Sequence, residues 1–178
     1  MQTLANPERH ATELYRLAYL LTGDGATSLD VTLEAIEDED GSFFSHWMLA
    51  WSKRVVIAKA LVAVRFDLAE SAKRTARIRP EKRRLAPAGW SLPQGADTAA
   101  LDRALLAIDI FPRCALLLSV FERVPLADAA ILLDSTPQAV EHARNLALRE
   151  LTVNLAPPLR PTSNAAGFAV IRGEMQHA

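Results

Sequence analysis

The stretch that decides the fold runs from Thr98 to Leu155: TAALDRALLAIDIFPRCALLLSVFERVPLADAAILLDSTPQAVEHARNLALRELTVNL. Helix formers dominate it, and it divides into four apolar-periodic pieces with a breaker between each. TAALDRALLAID and PRCALLLSVF each predict a helix, with Pro112 near the start of the second. PLADAAILLD predicts a short helix with Leu126, Ala129, Ala130 and Leu133 facing inward. STPQ predicts a turn in which Ser135 or Thr136 caps the next helix and Pro137 presets its first turn. The last helix buries Val140, Ala143, Ala147 and Leu151 and ends before Pro157-Pro158. Two helices joined by so tight a turn fit a helix-turn-helix, the arrangement that lays its second helix in the major groove.

The same reading extends to the front of the chain. PERHATELYRLAYLLT at 7–22 predicts a helix with a stripe of Leu14, Leu17, Ala18 and Leu21, stopped by Gly23-Asp24-Gly25. A second helix is expected from about Ser28 to Ile36, with Leu29, Thr32, Leu33 and Ile36 on one face. A third is expected from about Ser42 to Arg65 or beyond. Its apolar set is Phe44, Trp47, Met48, Trp51, Val55, Ala58, Leu61 and Val62, and core packing is the expected role of Trp47 and Trp51. The expected fold class is all-α, two small helical bundles joined by a linker, the second ending in the helix-turn-helix. The expected boundaries are a helical module over 1–70, a basic and then Pro/Gly-containing linker over 71–97, the second module over 98–156 and a tail over 157–178. The linker begins helical, and its Trp90 is expected to clasp the modules together.

Charge is distributed in blocks. The chain of 178 residues has a formal net charge of −1, 50% hydrophobic residues and 23% charged ones, a composition that argues against disorder. Residues 25–52 carry six acids and no Lys or Arg, whereas residues 53–84 carry eleven Lys or Arg against three acids. The basic block is a candidate phosphate-binding surface, and equally a solvated strip that pairs with the acids of 34–40. The single cysteine, Cys114, excludes an intramolecular disulfide and a multi-cysteine zinc site, and its apolar neighbours place it in the core. His10, His46, His142 and His177 are scattered, and no catalytic or phosphate-loop constellation is present, so neither an enzyme nor a cofactor or metal site is expected. No apolar run approaches the roughly 20 residues that span a bilayer, and MQTLANPERH has no signal-peptide core. A cytoplasmic protein without membrane contact is the expectation.

LDRALLAIDIFPRCALLLSVFERVPLADAAILLDSTPQAVEHARNLALREL resembles the C-terminal promoter-binding module of the small, two-domain alternative RNA polymerase sigma factors. ELYRLAYLLTGD resembles that family's opening helix, and FFSHWMLAWSKRV its Trp-bearing helix. The resemblance covers roughly 8–70 and 98–155. It implies transcription initiation, with RNA polymerase core and promoter DNA as partners. It implies polymerase contact by Asp30, Leu33 and Glu34. It implies −35 contact by Gln138, Glu141, His142, Arg144, Asn145 and Arg149, and −10 contact by Lys53, Arg54, Lys59, Arg65, Lys73, Arg74 and Arg77.

Several positions depart from the family pattern. Leu33 stands at a Gln position, Arg54 and Ala58 where an Asn and an Asp are common, and Leu146 and Leu148 where basic residues are common. The last helix carries Arg144 and Arg149 against Glu141 and Glu150, which leaves it neutral. These departures support an alternative: a degenerate sigma-like interaction module that has lost DNA and polymerase binding. Its apolar helix faces would hold an anti-sigma partner or a second copy. On that reading, Leu146 and Leu148 pack against the first module, the tail or a partner.

Overall fold

A computed structural model describes residues 7–37, 46–78 and 97–156. Among these the chain is all-α, as the sequence predicts. Helix α1, Pro7–Thr22, buries the expected Leu14, Leu17, Ala18 and Leu21. Gly23 ends it at φ +78, a left-handed conformation open to glycine, with its N–H donating to Tyr19 O at 2.8 Å. Helix α2, Gly25–Glu37, starts three residues earlier than predicted. Asp24 is the reason, since its carboxylate accepts from Thr27 N at 2.8 Å and from Thr27 Oγ1 at 2.7 Å and caps the new helix.

The buried face of α2 also corrects the prediction. Ser28, Val31, Thr32 and Ala35 point inward, while Leu29 and Leu33 stand about half exposed at 50% and 48%. Small and β-branched residues bring α2 close to α1 and α3, and the buried hydroxyls find partners locally. Thr22 Oγ1 and Ser28 Oγ share a hydrogen bond of 2.8 Å, and Thr32 Oγ1 donates to Ser28 O at 2.6 Å.

Helix α3, His46–Ala63, is corrected in the same way. It buries Ser52, Val56, Ile57, Ala60 and Leu61, and leaves Trp51 52% exposed and Val62 73% exposed. Apolar residues occur all round this helix, so their spacing alone does not pick out the inner face. Trp51 is therefore not the core residue expected. Phe44, the side chains of Trp47 and Met48, Trp90 and the 157–178 tail lie outside the described residues. Val64 interrupts the run at φ −103 and ψ 15, and α4, Arg65–Ala76, follows with Leu68, Ser71 and Thr75 buried.

In the second half, Asp97 caps α5, Thr98–Leu106, and Asp109 caps α6, Ile110–Leu116. The last continues into a π-helical turn, Leu117–Phe121. Every residue from Phe111 to Leu118 is buried. Helix α7, Leu126–Leu132, and helix α8, Pro137–Leu155, complete the described residues. Thr136 is the cap of α8, accepting from Ala139 N at 3.2 Å, and Val140, Ala143, Ala147 and Leu151 are buried as predicted. Helix α6 lies against α8, α4, α5 and α1, and the buried apolar residues of both halves form one connected cluster. No described helix is long and apolar enough to cross a membrane.

Two tests follow from this core. Phe111 is 1% exposed, so Phe111→Ala should cost about 3–5 kcal/mol in urea denaturation. Burial pushes the Cys114 thiol up to about 12 from an ordinary 9.0, the charge of Arg113 opposing. The folded state thus favours the neutral thiol, a contribution that is full below about pH 9 and is lost as pH rises toward 12. Denaturation between pH 8 and 10 should show a smaller loss of stability for Cys114→Ala than for the parent.

Candidate functional site

Helix α8 holds the first set of predicted contact residues, and the structure commits several of them elsewhere. Gln138 and Glu141 are exposed. Arg144 donates to Glu141 at 3.4 Å, one turn away on the same helix. His142 Nε2 lies 3.0 Å from the backbone carbonyl of Ile78, just beyond the end of α4. Asn145 is half-buried, and its side-chain oxygen is enclosed without a hydrogen-bond partner among the described residues. Arg149 is half-buried and already interacts within the chain. Leu146 and Leu148 are half-buried, and Leu148 packs against the core. The α8 surface is thus nearly neutral, which removes most of the phosphate attraction that dominates DNA affinity.

The basic block behaves similarly. Lys53 meets Glu122 at 3.5 Å, Lys59 meets Glu34 at 3.1 Å, Lys73 meets Glu70 at 2.7 Å and Arg74 meets Asp109 at 2.9 Å. Arg65 lies 5.3 Å from the ring centre of its neighbour Phe66, a cation–π contact. Arg54, Arg65 and Arg77 are exposed and make no ion pair among the described residues. Arg79, Lys82, Arg83 and Arg84 lie outside those residues. On α2, Asp30, Leu33 and Glu34 share an outward face, and Leu29 adds a second half-exposed leucine one turn away.

Three polar arrangements near the seam of the two halves were not expected from sequence, where Arg74 was read only as a DNA contact and Arg16 and Arg113 had no role. Arg16 of α1 grips Asp102 of α5, with Nε 2.9 Å from one carboxylate oxygen and Nη2 2.6 Å from the other. Arg74 grips Asp109 in the same fork, and Ser71 Oγ accepts from Phe111 N at 3.0 Å. Arg113 is 5% exposed and donates through Nη1 to Leu106 O at 3.2 Å and Ile108 O at 3.1 Å. Its desolvation lowers its affinity for a proton. A β-carbon on Gly23 would stand 3.1 Å from Arg113 Nη2. A cleft of about 650 Å³ opens beside these groups, lined among others by Tyr19, Glu70, Arg74, Asp109 and Arg113. The signal for Arg113 was present, because an arginine inside the run FPRCALLL has nowhere to go but inward. The acidic partners carried no such signal, since fold geometry alone selects them.

No protein-family model, curated protein or solved structure matches this chain.

Burial acts to raise the Asp109 pKa, but hydrogen bonds from Arg74, Ser71 and Ile110 N outweigh it and hold the group below its ordinary value. Its stabilising share is therefore present above about pH 4 and is lost as pH falls. Asp109→Asn keeps a capping oxygen and removes the charge. The difference in urea midpoint between pH 7 and pH 3 should shrink in that variant.

Proposed function

We propose that the chain is a sigma-factor-like protein of transcription initiation. Helix α2 docks on the RNA polymerase core through Asp30, Leu33 and Glu34, and α8 faces promoter DNA through Gln138, Glu141, His142, Arg144, Asn145 and Arg149. The observation that carries this reading is the α7–α8 pair. It has a short apolar helix, a tight turn with Asp134 at φ 47, and a long final helix that starts on Thr136 and Pro137. The exposed Arg54, Arg65 and Arg77 on α3, on α4 and just beyond it are cations available to a −10 strand.

A second reading is favoured by a specific observation. His142, Arg144 and Arg149 are engaged within the chain and α8 is neutral. A protein-docking module that has lost its DNA and polymerase contacts would look the same.

Pull-down on core polymerase, with fluorescence anisotropy on the neighbouring promoter, separates the two. The first reading predicts core binding at low salt that is lost in Leu33→Glu. It also predicts promoter binding that weakens steeply as salt rises, with a slope set by the phosphates contacted. Absence of both polymerase and promoter binding at low salt contradicts the first reading and leaves the second.

A further inference from the structure

A groove of about 640 Å³ runs between α3 and the connection from α6 to α7, apart from the α2 face assigned above. Its floor is aliphatic, built from Ile57 of α3, Val124 and Pro125 of the connection, and Ile131 and Leu132 of α7. Ile131 is 78% exposed and Leu132 41%. A single exposed isoleucine is ordinary, but several exposed aliphatic groups round one concavity mark a binding surface.

The rim is charged in a definite way. Lys53 and Glu122 neutralise one another across it at 3.5 Å. Arg54 and Arg123 also line it, and neither makes an ion pair among the described residues. Beyond the Lys53–Glu122 pair, one carboxylate, Asp128, lines the groove. Arg123 is held at φ 55, a conformation costly for a residue with a side chain, two residues after the end of the π-helical turn.

We infer that this groove docks an acidic amphipathic helix of a protein partner. Two apolar side chains three or four residues apart would enter the aliphatic floor, and flanking carboxylates would meet Arg54 and Arg123. A protein fits better than a nucleic acid, because the floor is aliphatic and, among the described residues, no aromatic ring lines it for base stacking. Occupancy covers Arg54, so a partner here would compete with any strand bound along α3.

The test uses the full chain and a labelled helical peptide with leucines at i, i+3, i+4 and i+7 flanked by glutamates. A second peptide carries lysines in place of the glutamates. Fluorescence anisotropy should show saturable binding of the acidic peptide and at least tenfold weaker binding of the lysine one. Arg123→Gly, which accepts the positive φ, and Arg54→Ala should each weaken binding about tenfold. Ile131→Asp, at an exposed site that leaves the core intact, should abolish it, and Leu33→Glu should leave it unchanged. Equal binding of both peptides, no binding, preference for single-stranded DNA at the same residues, or self-association that Ile131→Asp disrupts would each overturn the inference.

Discussion

Burial of α6 on every side is the constraint on which the other helices depend. A helix normally hides one stripe, but every residue from Phe111 through the end of this one and on to Leu118 is buried. Such a helix needs a neighbour on each face, and α8, α4, α5 and α1 supply them. Two of those neighbours come from the first half of the chain. The Cys114 thiol against Leu21 O, at 3.6 Å, marks how closely α1 approaches. Arg113 is the one charge in the buried run, and a buried charge costs several kcal/mol unless it is compensated. Its hydrogen bonds to Leu106 O and Ile108 O offset part of that by satisfying carbonyls at the end of α5.

Around this buried helix the two halves are fastened by polar contacts at the rim. The Arg16–Asp102 and Arg74–Asp109 forks are partly solvated, so each adds stability modestly and selects geometry more than it supplies energy. The hydrogen bond from Phe111 N to Ser71 Oγ ties α4 to the first turn of α6. The same closure reaches α8, where His142 meets Ile78 O. The side chains best suited to reading DNA bases are therefore partly enlisted in holding the halves together. The faces of α2 and of the α3–α7 groove keep their exposed leucines, isoleucine and arginines.

Legibility in the sequence followed the contrast between apolar and polar residues. In α1, α7 and α8 that contrast is sharp, and Leu14, Ala130, Val140 and Ala147 are all buried where the periodicity places them. In α2 the inner face is made of Ser28, Val31, Thr32 and Ala35, so hydroxyls that bond locally replaced the larger leucines. In α3 the apolar residues surround the helix and periodicity has no direction to give. Candidate contact residues were legible by chemical type alone. Whether Lys53, Lys59 or Arg74 is free depends on a carboxylate brought from another element, which no local pattern encodes.

Native-state hydrogen exchange tests most directly whether α6 joins both halves in one cooperative body. The amides from Arg113 to Leu118 and those of Leu14 to Leu21 in α1 should exchange only through global opening, with one shared free energy and one denaturant dependence. A lower, separate opening energy for the α1 amides, unaffected by Phe111→Ala, would mean that the halves fold independently and would contradict the account.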